Sequence, residues 1–317
     1  MSLRRFAIKR LLLVIPTLIG VSIITFALVH LTPGDPADFI LDIDPEVTDA
    51  DRAAVRAEHG LDQPVYIQYI DWLTGMLQGD FGTEFATGRD VGDIIATRLP
   101  PTIMLGLFGW VFAIVIAVPT GIYAAMNRQK LGDDISRFIA LAGISIPNFW
   151  LGLMLILIFA LWIDLWPAVY TGRGSVYSLD ALWFLILPGV TVGTASSAIM
   201  MRIMRQSMAE EMNKDYVTTA RAKGLPERTV VLKHVLRNSL ISVVTVAAFL
   251  TAGILAGSVV VEVVFAWPGL GFELIEAVNT REYYVVMGIT LFTGIAIIIA
   301  NLAADLIYAV LDPRIRY

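Results

Sequence analysis

The chain has 317 residues, 57% of them hydrophobic, against roughly 45–50% in a soluble globular domain. That surplus excludes a soluble fold and points to a polytopic membrane protein. The formal net charge is −5, and there is no cysteine, which excludes a disulfide framework and a thiolate metal site and leaves the redox compartment unread.

Six stretches carry no formal charge and are long enough to cross about 30 Å of hydrocarbon, which takes roughly 20 helical residues. They are residues 11–29, 101–126, 138–163, 181–201, 239–261 and 283–304. The expected fold is all-α, with six transmembrane helices. Pro16, Pro119, Pro147 and Pro188 fall inside four of these stretches, which predicts kinked helices whose freed carbonyls find other donors. Gly152, Gly193, Gly253 and Gly257 are candidates for close helix contacts.

The first span follows Arg4, Arg5, Lys9 and Arg10, a start that a signal peptide would share. Its apolar run is longer than a usual signal core and exits through HLTPGDP without a small-x-small cleavage site, so it is expected to be retained. Residues 31–100 then form one sizeable acidic segment, with 14 Asp or Glu against 4 Arg and no Lys. Its Asp42-x-Asp44-x-Glu46 run lacks the spacing of a calcium loop, so it is read as a solvated face. A short helix at about 49–60 and the stretch YIQYIDWLTGML predict a small cap, with Tyr66, Tyr69 and Trp72 near the membrane interface.

An even number of spans puts both termini on one side. The N-terminus, the 127–137 loop, the 202–238 loop and the C-terminus hold 17 of the 23 basic residues, which makes these segments cytoplasmic and the 31–100 segment external.

The long polar segment 202–238 carries the most pattern. Asn213 is a candidate N-cap for a short helix in which Tyr216, Val217 and Ala220 share one face and Lys214, Thr218 and Arg221 the other. Gly224 suits a left-handed stop, and Pro226 suits the first turn of a new helix bearing Val231, Leu232, Val235 and Leu236 on one side. Such a knob, standing off the bilayer, suits docking to a partner.

No phosphate loop, nucleophile elbow or HExxH motif is present, and PGLGFE lacks the GxGxxG spacing. His30, His59 and His234 lie in three separate regions and form no ligand set. Glu262 and Asp305 sit near the ends of their spans, where packing or gating explains them better than proton transfer. Whatever drives the protein must come from an ion gradient or from another subunit.

In TTARAKG followed by HVLRN, the segment resembles the loop of ATP-binding-cassette importer permeases, whose signature is EAA, three residues, Gly, nine residues, then I-x-L-P. Thr218, Thr219 and Ala220 stand at EAA, Gly224 at the glycine, and His234 to Arg237 at the last four positions. Thr218 replaces the acid and Arg237 the proline. Both departures, within DYVTTARAKGL and HVLRNSL, resemble the dipeptide, oligopeptide and nickel branch. LTPGDPA, HGLDQP, LQGDFGTE, RLPPTIMLG, SIPNFWLGLML, LILPGVTVG, VVVEVVFAWPGLGFELIEAV and NLAADLIYAVLDPRIRY extend the resemblance along essentially the whole chain.

The resemblance implies a non-catalytic permease of an inner membrane importer with the ABC importer permease fold. Residues 1–30 would form an anchor and first helix, 31–100 an external segment, 101–311 a five-helix core that includes loop 202–238, and 312–317 a cytoplasmic tail. The implied partners are a second homologous permease, two cytoplasmic ATP-binding subunits, an external substrate-binding protein and membrane lipid, with no nucleic acid. No cofactor is expected in this chain; ATP and Mg2+ would belong to the partner subunits. The implied cargo is a di- or oligopeptide, a nickel chelate or a related small solute. Asp215, Tyr216, Val217, Thr219, Ala220, Arg221, Lys223, Gly224 and Arg237 would form the ATPase-docking helix and its surroundings, with Tyr216, Val217 and Ala220 as the docking face and Gly224 as the hinge. A secondary carrier driven by protons or sodium is the alternative. It would need a midplane acid or an inverted repeat of broken helices, and neither is evident. A membrane-embedded enzyme would need a catalytic set that the spans do not supply.

Overall fold

The computed structural model describes residues 3–31, 48–58, 60–172 and 175–311. Among them are thirteen α-helices, two π-helical stretches and no strand beyond one bridge between Thr83 and Asp90. In chain order the helices are α1 (Leu3–Leu31), α2 (Asp49–Glu58), α3 (Val65–Leu77), α4 (Val91–Met126), α5 (Leu131–Ser145) and α6 (Asn148–Leu155), followed by α7 (Leu179–Phe184), α8 (Ile186–Glu211), α9 (Asp215–Ala222), α10 (Glu227–Thr229), α11 (Leu236–Val264), α12 (Leu270–Thr280) and α13 (Tyr283–Leu311). Ile156–Trp162 continues α6, and Val230–Val235 joins α10 to α11, both as π-helix.

Among the described residues, five helical stretches are long and apolar enough to cross a membrane: Arg10–Leu31, Val91–Met126, Ile186–Glu211, Glu227–Val264 and Tyr283–Ile307. The sixth expected span, 138–163, is not one rod. α5 and the α6 stretch together pass the same test, but they meet at a bend of 104°. Pro147 is the cause: the ring disfavours helical backbone at the residue before it, and Ile146 is extended, at φ −78° and ψ 124°. Pro188 disturbs nothing, because it falls in the first turn of α8, where no partner four residues back is required. Pro16 and Pro119 leave the Leu12 and Val115 carbonyls without their usual donors. The following Thr17 and Thr120 hydroxyls do not answer those carbonyls. They bond the next ones along, Leu13 O at 2.8 Å and Ile116 O at 2.5 Å.

The chain divides into two compact units. Unit 1 comprises Met1–Ile8, Pro101–Pro268 and Ile297–Tyr317. Its central element is α8, which packs against α5, α6 and α11. The inward positions of α8 are small or flexible, and Met200, Met201, Met204 and Met208 interleave with Ala113, Ala117, Val243 and Ala247 of α4 and α11. Small residues set the closest crossing. A Cβ on Gly193 would stand 2.4 Å from the Gly109 carbonyl oxygen, so α4 and α8 touch backbone to backbone there. A second cluster is aromatic, with Phe184 stacked on Trp267 at 5.8 Å and Tyr170 edge-on to Trp267 at 4.9 Å. The Trp267 indole donates to the Pro101 carbonyl at 2.9 Å, which satisfies the one polar atom of a fully buried ring.

Unit 2 comprises Lys9–Pro100 and Gly269–Ala296. Val91, Ile94 and Ile95 of α4 pack with Leu270, Ala277, Val285 and Ile289 of α12 and α13. Phe26 and Val29 of α1 pack with Trp72 of α3 and with Tyr283 and Met287 of α13. The tight loop 83–90 is held from a distance in sequence, because the Glu282 carboxylate accepts the Phe85 and Ala86 N–H groups at 2.6 and 2.9 Å. Arg98 pairs with Glu273 at 2.8 Å, and Arg89 with Glu84 at 2.9 Å. Of the interfacial aromatics expected in this segment, Tyr69 meets Ser22 of α1 at 2.8 Å and Trp72 is buried, while Tyr66 is exposed.

Candidate functional site

The polar segment between α8 and α11 folds as a compact knob within unit 1. α8 ends at Glu211, and the Asn213 amide donates back to the Ala209 carbonyl at 2.8 Å. Asn213 therefore closes α8 and does not cap the next helix. Lys214 occupies the N-cap position of α9 without a side-chain cap, and Asp215 supplies a carboxylate to the first turn, where the helix dipole favours it. α9 ends at Ala222. Gly224 follows with φ +76°, and a Cβ there would meet nothing within 4 Å. The glycine is favoured by backbone conformation, not by crowding. Pro226 then precedes α10 and the π-helical turn that leads into α11.

The apolar face of α9 points inward, which corrects the expectation for three residues. Val217 is 0% exposed and Ala220 7%, both within a cluster formed by Met208, Val230, Val231 and Val235. Tyr216 is half-buried against the same cluster. A face of this kind buries against its own chain because the neighbouring helix ends offer apolar surface at once, without the cost of recruiting a second molecule. Of the expected stripe Val231, Leu232, Val235 and Leu236, Val231 and Val235 are buried in this cluster and Leu236 packs against it, while Leu232 is exposed and Val230 takes a buried place instead.

Polar contacts lock the knob in place. The Tyr216 hydroxyl donates to Glu211 at 2.5 Å and accepts from the Asn238 amide at 3.0 Å, which ties α9 to α8 and α11 at once. Burial, and then the hydrogen bond to Glu211, push the Tyr216 phenol above its ordinary value. Lys214 also pairs with Glu211. The Arg221 guanidinium makes two bonds to Glu227, at 3.1 and 2.7 Å, and this carboxylate raises the Arg221 pKa further. Glu211, Glu227 and Asn238 are the members of this network that local pattern did not single out.

The outward surface of α9 and its C-terminal turn includes Asp215, Thr218, Thr219, Arg221, Ala222 and Lys223, with Arg237 exposed on the first turn of α11. The Thr219 hydroxyl donates to the Asp215 carbonyl at 2.9 Å. This is a small rigid surface of mixed charge, rooted through Val217 and Ala220 in the core around α8.

What a helical membrane body with such a knob is comes from the sequence relationships. The chain belongs to the family described as binding-protein-dependent transport system inner membrane component, which matches residues 117–317. The N-terminal region described for the same membrane components matches residues 3–106. The oligopeptide transport system permease protein AppB of Bacillus subtilis (strain 168) is 38% identical over 315 residues, covering 98% of this chain and 99% of its own. The glutathione transport system permease protein GsiC of Escherichia coli (strain K12) is 42% identical over 312 residues, with the same coverage. GsiC of Salmonella typhi is 41% identical over the same length.

The chain is thus a multi-pass inner membrane permease subunit of an ABC importer, a transport component and not an enzyme. Membership in a binding-protein-dependent system implies a substrate-binding protein and an ATPase as partners. Its relatives along the whole length are importer permeases, which disfavours a gradient-driven carrier.

Proposed function

We propose that this permease carries di- or oligopeptides inward, delivered by an external substrate-binding protein. The observation that carries the reading is identity of 38% and 42% across 98% of the chain with permeases named for oligopeptides and for glutathione, itself a tripeptide. The permease works beside a second, homologous permease and above two cytoplasmic ATPases that hold the ATP and Mg2+. Lipid surrounds it, and nucleic acid has no part. Both termini and the knob face the cytoplasm, a reading supported by the 17 basic residues on that side.

In this mechanism the exposed residues Asp215, Thr219, Arg221, Lys223 and Arg237 meet the ATPase. Tyr216, Val217 and Ala220 transmit its movement to α8 and α11 instead of touching the partner. Gly224 permits the turn that presents α9. When ATP binding draws the two ATPases together, α9 moves with them and the bundle passes from inward-open to outward-open; hydrolysis resets it.

Deleting α9 would open the core at Val217, so the test uses surface substitutions. Lys223→Glu with Asp215→Lys exchanges the charges at two outward positions and leaves the buried face alone. The altered permease should reach the membrane in normal amount, retain less ATPase on affinity purification, and lose ATP-dependent peptide uptake in proteoliposomes. Normal ATPase retention together with normal uptake would refute the docking surface. Purification of the parental chain with no ATPase, together with uptake that follows an ion gradient, would refute the importer assembly.

A further inference from the structure

Unit 2 contains a cavity of about 830 Å3, within the size range of small-molecule sites. Its walls are aromatic. Trp72 of α3 and Tyr283 of α13 are buried, and Phe85 and Tyr284 lie 5.2 Å apart, centre to centre. Two carboxylates, Asp71 and Asp80, also line it, and no lysine or arginine does among the described residues. Neither acid takes part in an ion pair among the described residues, although other carboxylates of the unit, Glu84 and Glu273, are matched to arginines. His30 is the one basic side chain in the lining, and its ring nitrogens already face the Phe26 carbonyl at 3.0 Å and the Gln68 amide oxygen at 3.1 Å. The cavity therefore combines π faces, which attract cations, with two exposed carboxylates that stand outside any ion pair among the described residues.

We propose that this cavity binds an organic ammonium that carries an apolar group. The rings take the apolar part and the face of the cation, and Asp71 and Asp80 take its charge. Two sources supply that chemistry: the N-terminal ammonium of a free peptide, or the headgroup of an ethanolamine lipid. Only the first rests on the peptide reading above, so the site can hold even if the transported solute is something else.

The probe is phenethylammonium, titrated calorimetrically into the full-length protein in maltoside micelles, with uncharged 3-phenylpropanol as its control. The ammonium should bind at least about tenfold more tightly than the alcohol. Asp71→Asn with Asp80→Asn should reduce ammonium binding by a similar factor and leave the melting temperature in place. Asparagine at position 80 keeps the oxygen that accepts the Gly82 N–H at 2.9 Å, so the loop has no reason to unfold. Trp72→Phe keeps an apolar wall and should weaken binding less than the paired acid change. Adding phosphatidylethanolamine, with phosphatidylglycerol as reference, separates the sources: displacement of the probe by the first lipid alone assigns the site to the headgroup, and no displacement by either assigns it to a soluble amine. Equal binding of ammonium and alcohol, or ammonium binding unchanged by the paired acid substitution, overturns the proposal.

Discussion

Asp133 shows how much a single side chain can commit the fold. Its carboxylate, 1% exposed, receives the Arg205 guanidinium at 2.5 and 2.6 Å and the Gln129 N–H at 3.1 Å. Removing one member of a buried pair leaves an uncompensated charge. Arg205→Ala is therefore expected to cost about 3 kcal/mol, toward the low end for such pairs because Arg205 keeps some solvent contact. The paired change Asp133→Asn with Arg205→Gln should recover part of that loss, and thermal unfolding of the purified protein in detergent checks both. Glu84 makes a weaker and pH-dependent contribution. Its hydrogen bond from Arg89 holds the carboxyl below its ordinary value of 4.5. The unfolded chain then binds the proton first as pH falls, so the stabilisation is full above about pH 4.5 and is lost as pH drops through the lower folded value. Because Arg89 is largely exposed, the effect is about 0.2–1 kcal/mol. Melting curves taken between about pH 6 and pH 3 should fall less steeply for Glu84→Gln than for the parent.

At the scale of elements, the glycines show what a small residue does and does not imply. Gly193 sits at the α4–α8 crossing, where an added methyl would meet a backbone oxygen at 2.4 Å and the Phe112 ring at 2.8 Å. Backbone cannot step aside as a side-chain tip can, so Gly193→Ala is expected to destabilise by about 1–3 kcal/mol. Gly253, in the interior of α11, has nothing within 4 Å, and Gly257 only the Asn148 amide at 3.6 Å. Gly253→Ala should stabilise the isolated chain by about 0.5–1 kcal/mol through helix propensity alone. Unfolding temperatures of the two variants, moving in opposite directions, check the pair. If Gly253→Ala also lowers recovery of the assembled transporter, the face of α11 bearing it packs against another subunit. The same contrast holds for α9. Its amphipathic pattern announced a helix with one apolar face, but only the positions of Met208 and Val230 decided that the face is internal.

For the whole molecule, the permease is a transport subunit and not an enzyme, so the energy for transport belongs to a partner. Reconstituted alone in proteoliposomes, it should show no peptide uptake above empty vesicles, with or without a proton gradient. Uptake should appear only when a binding protein, the partner permease and the ATPases are added with ATP, and a radiolabelled dipeptide measures it. The membrane class, the approximate spans and the boundaries around Gly224 were readable from the chain because they depend on composition and on neighbours a few residues apart. Hydrocarbon demands long uncharged runs whatever surrounds them, and a left-handed turn favours glycine whatever it leads to. The inward face of α9, the Asp133–Arg205 pair and the acid-lined aromatic cavity were decided only in three dimensions. Each depends on groups brought together from distant parts of the chain. Asp133 and Arg205 are separated by 72 positions, and Glu282 and Phe85 by 197. Local pattern can say that a side chain is charged or apolar; which group it meets, and so whether it is buried, paired or left facing a cavity, is set by packing.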